Sequence, residues 1–409
     1  MRPEVLDSVR RLYPGACSTA YLDSAAVGLV STRVRAAVVD LLTGHQDGGI
    51  AAAPAWRDHQ EVVRAAVADL VGGRPDGISF TQNTTTGLAL VANGLPWGPG
   101  DNVVLPAQEF PSNSYLWRGL RALGVEVREA PVRGGAADLD ALAGLVDDRT
   151  RVVTISAVQY SSGHRHDLAR LSQIARGRDA LLVVDGTQAV GALAVDVEGI
   201  DVLAVSAHKW LLGPFGIGFV HLSERARDRL RPTTVGWLAV ADPFAFTVEP
   251  ELATDGRRFE SGTENAAGIA GLGATVGLLH ELGRDVVQET VLANAARLVE
   301  LLATAGLEVH RAADPATHSG IVVAGRPGTD PAVLHRALLD GGVRCSLRGA
   351  GIRFAPTTSP ATPTSSSPPT SPDGRRLSSS GPPASPGRRG CPSAAARGPR
   401  ASARSRSPA

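Results

Sequence analysis

Short apolar runs alternate with helical patterns between about residues 78 and 222 of this chain. The runs "ISF" (78–80), "NVVLP" (102–106), "VEVREAP" (125–131), "RVVTIS" (151–156), "LLVVD" (181–185), "DVLAVS" (201–206) and "GIGFVHL" (216–222) read as strands. Strands spaced by helix-length segments predict a mostly parallel sheet covered on both faces, an α/β architecture. From about residue 266 the pattern changes. "AAGIAGLGATVGLLHELG" and "RDVVQETVLANAARLVELLATAG" read as two helices, followed by candidate strands "GLEVHRA", "GIVVAG" and "GVRCSL". That order predicts a smaller α+β domain.

The final stretch breaks every periodicity. Residues 357–409 hold 13 Ser, 11 Pro and 8 Arg with one acid, one leucine and no aromatic, so nothing in them can form a core. The expected organisation is therefore an N-terminal segment (1–20) packing with the small domain, a large domain (21–262), a small domain (263–356) and a disordered tail (357–409).

Composition narrows the class. A 409-residue chain that is 43% hydrophobic and 20% charged suits a globular protein with two cores. A net charge of +1 points to neither nucleic acid nor a membrane surface. No run approaches the roughly 18 apolar residues of a membrane span, and the charged N-terminus lacks the apolar centre of a signal peptide. Cys17, Cys345 and Cys391 are too scattered for a disulfide framework or a zinc site, so no metal is expected. A cytoplasmic enzyme is the expectation.

The candidate chemistry starts from one residue. Lys209, in "SAHKWLLGP", is the only lysine, although 41 residues are Lys or Arg. Arginine replaces lysine on a solvated surface but not where an amine must lose its proton. Three polar clusters follow strand ends, where open α/β sheets bind ligands: "TQNTTTG", "DGTQAVG" and "SAHK". Amides and hydroxyls opening the helix after Asn83 suit a phosphate. Asp185, ending a buried strand, suits a protonated ring nitrogen, and Lys209 suits an aldehyde. Phosphate, ring nitrogen and aldehyde are the three handles of pyridoxal 5′-phosphate.

From "YLDSAAVG" (21–28) to "GIRFAP" (351–356), and most specifically in "VVDGTQAVGALAVDV" and "SAHKWLLGPFGIGFV", the chain resembles the class V aminotransferase family. That group includes cysteine desulfurases, kynureninases, isopenicillin N epimerases and ergothioneine C–S lyases. The resemblance implies the fold type I of pyridoxal-phosphate-dependent transferases, with a seven-stranded sheet. It implies Lys209 as the imine-forming lysine, Asp185 as the partner of the pyridine nitrogen and Gln188 near the phenolic oxygen. Thr84 and Thr85 match the phosphate-cradling turn, and Ser206 and His208 further phosphate ligands. Phe110, in "QEFPSNSYLW", matches the ring-stacking position, and Tyr160 lies where relatives place asparagine near the ring. Gly262 and Thr263, in "RFESGTEN", match a loop reaching the neighbouring subunit's phosphate, which implies a homodimer. Arg353 matches the grip on the substrate's α-carboxylate.

The resemblance leaves the reaction open between C–S cleavage, transamination and epimerisation of an amino acid. "LDSAAVG" and "DGGIAA" resemble the C–S lyase subgroup, which favours a lyase. Cys345, in the strand-like "GVRCSL", reads as a core residue rather than a desulfurase nucleophile. A nucleotide-binding protein without covalent chemistry is disfavoured, because no GxGxxG turn follows the first strand. In relatives the segment after "GIRFAP" continues as a turn and an acidic helix. Thr, Ser, Pro and Ala codons share a second-position C, so a shifted reading of "TTSPATPT" permits a sequence resembling that turn. The expectation is that the chain beyond about Pro356 is read out of frame, by a real frameshift or a sequencing error, with a genuine disordered tail as the alternative. A real shift would truncate the small domain and leave an inactive product as the other outcome.

Overall fold

Strands that are apolar at consecutive positions need cover on both faces, and the central sheet receives it. A computed structural model describes residues 2–349 and 351–358. Two helices, α1 (Thr32–Gly48) and α2 (Ala53–Leu70), lead into β1 (Ile78–Thr81) and helix α3 (Thr84–Gly94). Then follow β2 (Asn102–Pro106), β3 (Glu126–Ala130), β4 (Thr150–Ser156), β5 (Leu181–Asp185), β6 (Val202–Ser206) and β7 (Gly218–Leu222). These seven strands form one sheet in the order β1-β7-β6-β5-β4-β2-β3, in which β7 alone runs against its neighbours. The mostly parallel sheet expected from the apolar runs is present.

Alternation along β5 shows the two layers. Leu181 and Val183 join the core beneath α3, with Leu88 and Val91, while Leu182 and Val184 join the opposite core with Val63 and Val67 of α2. Period-two geometry thus splits one apolar run between two layers.

Helices α4 (Ala266–Leu282) and α5 (Arg284–Thr304) come next. β8 (Glu308–His310), β9 (Val322–Gly325), helix α6 (Pro331–Asp340), β10 (Ser346–Arg348) and β11 (Gly351–Phe354) follow them. These strands form an antiparallel sheet in the order β8-β9-β11-β10. The expected boundary after residue 262 assigns α4 to the small domain, yet Ile269, Leu272 and Val276 complete the core shared with α2 and the large sheet. The glycines of α4 explain the close approach: a Cβ on Gly273 would stand 2.5 Å from a Val63 methyl. Val9 and Tyr13 of the N-terminal segment pack against Leu278 of the same helix.

"GVRCSL" does not form one strand. Val343–Arg344 pairs in parallel with Ala20–Tyr21, and Ser346–Arg348 pairs with β11, leaving Cys345 between two sheets. The described residues form one compact unit. The expectations of disorder and of an out-of-frame reading for the tail lie outside the described residues from position 359 onward. Among the described residues no single helix is long and apolar enough to cross a membrane.

Candidate active site

The carboxyl ends of β1, β4, β5 and β6 converge on a cavity of about 290 Å³. Ten residues singled out from the sequence line it: Thr84, Thr85, Phe110, Tyr160, Asp185, Gln188, Ser206, His208, Lys209 and Arg353. Gly262 and Thr263 do not. They border a separate cavity of about 840 Å³, which touches the first at Asn83.

Helix α3 opens at one wall of the cavity. Asn83 caps it, accepting from the Thr86 amide at 3.0 Å, and the Thr86 hydroxyl returns to the Asn83 carbonyl at 2.7 Å. The Thr84 amide donates to Ser206 Oγ at 2.9 Å. The amide of Thr85, between these two, has no partner within the chain among the described residues. Hydroxyls of Thr84, Thr187 and Ser206 form a connected set, and Thr85 reaches Ser112 Oγ at 2.8 Å. A free amide at a helix N-terminus ringed by hydroxyls suits a phosphate.

Asp185 ends β5 almost fully buried, with Oδ1 accepting from the Thr187 amide at 2.9 Å. Burial raises its pKa; the Thr187 amide and the Lys209 charge oppose the rise. Lys209 is held below the usual lysine range by burial, with Asp185 opposing and Arg353 and Arg348 adding to the effect. Its Nζ lies 5.0 Å from the Phe110 ring centroid, and Phe110 meets Tyr160 edge to face at 5.2 Å. His208 stacks on Phe215, and burial, aided by Lys209, holds it below its ordinary pKa.

The turn carrying Lys209 is tightly held. Leu212, three residues on, has φ +55°, which is costly for a branched side chain. Gly28, just before α1, donates its amide to the His208 carbonyl at 2.7 Å, and a Cβ there would fall 2.2 Å from the Lys209 carbonyl oxygen. The requirement for glycine in "SAAVG" is therefore the requirement to seat the lysine loop. Gln188 is fixed by two neighbours, donating to the Ala25 carbonyl at 3.0 Å and accepting from Trp210 Nε1 at 2.8 Å.

Arg353 sits on β11 with 1% of its surface exposed. It donates to the Tyr160 carbonyl at 3.0 Å and meets Asp23 at 3.4 Å, while its Nε has no partner. Burial lowers its pKa to about 10, and nearby Arg348 adds to that. A buried guanidinium with an unpaired N–H fits a carboxylate.

Sequence reasoning missed several members of the site. Ala25, Ala26, Asn83, Ser112, Thr187 and Arg348 also line the cavity. Thr187 was legible in "DGTQ" as a hydroxyl two residues past a strand-end acid. Arg348 carried no signal, since one arginine among many is silent until the fold places it. Glu109, beside Phe110 in the chain, is buried behind the cavity, with a pKa raised by burial to about 7.

Comparisons with known proteins bear on the family and the fold. The family model described as aminotransferase class-V matches residues 20–348. A probable cysteine desulfurase of Methanothermobacter thermautotrophicus is 36% identical over 219 residues, 52% of this chain and 54% of that protein. The chain thus matches about half the length of that relative. A cysteine desulfurase of Salmonella typhimurium is 33% identical over 286 residues, 66% of this chain and 68% of that protein. Among solved structures, the apo cysteine desulfurase from Thermococcus onnurineus NA1 superimposes with a TM-score of 0.79 at 25% identity, covering 88% of this chain and 94% of that one. The cystine C–S lyase C-DES, in complex with cysteine persulfide, gives a TM-score of 0.78 at 24% identity, over 85% of this chain and 95% of that one. That last likeness speaks for the fold alone.

Proposed function

The chain belongs to the class V aminotransferase family, and on that premise we propose that it is a pyridoxal 5′-phosphate enzyme cleaving a C–S bond in an amino-acid substrate. The residues present fit the cofactor: a free helix amide among hydroxyls, a buried carboxylate and a half-buried amine line one cavity. Thr84, Thr85, Ser206 and His208 would hold its phosphate, Asp185 its ring nitrogen, Phe110 its ring face and Gln188 its phenolic oxygen, with Tyr160 beside the ring. When bound, the cofactor supplies an electron sink for the substrate's α-carbon.

The chain's own groups do the rest. Arg353 binds the substrate's α-carboxylate through its unpaired edge. Lys209, its amine favoured by burial, takes the α-proton as general base. The electron pair left at the α-carbon then expels sulfur from the β-carbon. Deep seating of the site among apolar strands strengthens each of these contacts.

The observation that favours a lyase over a cysteine-relay desulfurase is the setting of Cys345. It packs with Val322, Ala324, Ile352 and Phe354, and burial raises its thiol pKa to about 11, with Asp23 adding. A thiol so placed is a packing group, not a nucleophile. We extend the proposal to a homodimer in which Gly262 and Thr263 reach the partner's phosphate, to a large domain from residue 21 that takes in α4 with a small domain after it, and to a cytoplasmic setting.

Purified protein incubated with the cofactor should show a visible absorbance band that borohydride reduction removes. Because Lys209 is the only lysine, digestion should place the label on a single peptide. An amino-acid panel should then yield pyruvate with a released thiol. A colourless protein overturns the cofactor reading, and keto acids without sulfur release overturn the lyase reading.

A further inference from the structure

The hairpin of β10 and β11 brings a second cation into the cavity. Ser346 on β10 stands opposite Arg353 on β11, and Arg348 stands opposite Gly351. Side chains of residues 346 and 348 share one face of their strand, and residue 353 shares that face across the pair. Arg348 and Arg353 are therefore diagonal neighbours, roughly 7–8 Å apart by sheet geometry. Both line the cavity, together with Lys209.

The two guanidiniums are not equivalent. Arg353 is buried and shares its charge with Asp23, whose other oxygen accepts from Ser346 Oγ at 2.6 Å. Arg348 is half-buried and donates to the carbonyl of its own neighbour, Leu347, at 2.8 Å. Among the described residues no acidic side chain pairs with it. Among the described residues Asp185 is the only acid lining the cavity, against Lys209, Arg348 and Arg353. Arg348 also depresses the pKa of both other cations, so its charge acts inside this space.

We propose that Arg348 is a specificity-determining residue that selects substrates carrying a second acidic group, beyond the α-carboxylate, on the far side of the scissile bond. The proposal rests on the C–S cleavage reading for the identity of that bond. The substrate class is then a β-thio-substituted amino acid whose sulfur substituent bears a carboxylate. A cation left without an acid in a partly dry cavity favours an anionic ligand and disfavours a neutral one of the same shape.

The test uses cofactor-loaded enzyme and equilibrium binding of glutarate against butyrate, a dicarboxylate and a monocarboxylate of similar reach. Wild type should bind glutarate at least about tenfold more tightly. Arg348→Gln should bring the two within about twofold, and Arg348→Lys, which keeps the charge, should retain most of the preference. Equal binding by wild type, or a preference that survives Arg348→Gln, overturns the assignment. A second arm compares pyruvate release from S-carboxymethylcysteine and S-propylcysteine. If glutarate is preferred but neither thioether is cleaved, the C–S reading falls and Arg348 keeps its role. If both are cleaved alike and glutarate has no advantage, the role of Arg348 falls and the C–S reading stands.

Discussion

Glu109 and Ser156 engage through both carboxylate oxygens: the Ser156 amide donates to Oε1 at 2.8 Å, and Ser156 Oγ lies 2.5 Å from Oε2. Ser156 in turn stands opposite Asp185 across β4 and β5. On its other side the Ser156 carbonyl lies 2.8 Å from Nδ1 of His166, a residue whose pKa burial lowers to about 4. Glu109 is thus the acid behind the acid that faces the cavity.

Its titration should be visible in stability. Burial raises the Glu109 pKa from 4.5 to about 7, against the Ser156 bonds and with Asp185 adding. The raised value means its protonated form stabilises the fold fully below about pH 4.5, and that contribution is lost as pH rises through about 7. Glu109→Gln should remove this slope, so the variant gains up to about 3 kcal/mol over wild type at pH 8 and little at pH 4. Melting curves across that range check it, and parallel curves for the two proteins would sink the assignment.

Asp185 should separate stability from activity. Its buried carboxylate, with a pKa raised mainly by desolvation, costs the cofactor-free protein stability at neutral pH. Asp185→Asn is expected to raise the melting temperature of the cofactor-free protein while lowering kcat by about 10²–10³-fold. A lower melting temperature would mean that the charge already serves packing.

Arg64 and Glu260 form a buried bidentate pair at 2.6 and 2.9 Å, and Glu260 also accepts from the Phe80 amide at 2.6 Å. The pair ties α2 to β1, whose end bears the turn of Thr84 and Thr85, and to the segment leading into Gly262 and Thr263. Arg64→Ala should cost about 3–5 kcal/mol, because it strands a buried carboxylate. Replacing both partners by methionine should cost less than the single change, as chemical denaturation would show.

Cys345→Ala tests the reaction class. Under the lyase reading, thiol and pyruvate release should stay within about twofold of wild type, while stability falls by about 1 kcal/mol. Loss of sulfur release with an intact melting profile would make Cys345 the nucleophile and the enzyme a desulfurase.

The chain's own pattern determined the large sheet. β5 and β6 are apolar at every position but the last, and buried strands of that kind fit only between two helical layers. Lys209 and Asp185 were legible because each is a polar residue just past an apolar run, where chain direction alone carries it to the rim of the sheet. The small domain was legible in part: the apolar run "GVRCSL" gave no sign that it divides between two sheets. Tertiary structure decided the rest. α4 joined the large core because its glycines let it approach α2, a matter of its partner's surface rather than its own sequence. Arg348 became a cavity residue through the register of a hairpin, and Glu109 acquired its pKa by being enclosed between strands distant in the chain. Local periodicity fixes which face of an element is apolar, but charge, burial and proximity are properties of pairs, and only the folded arrangement sets the pairs.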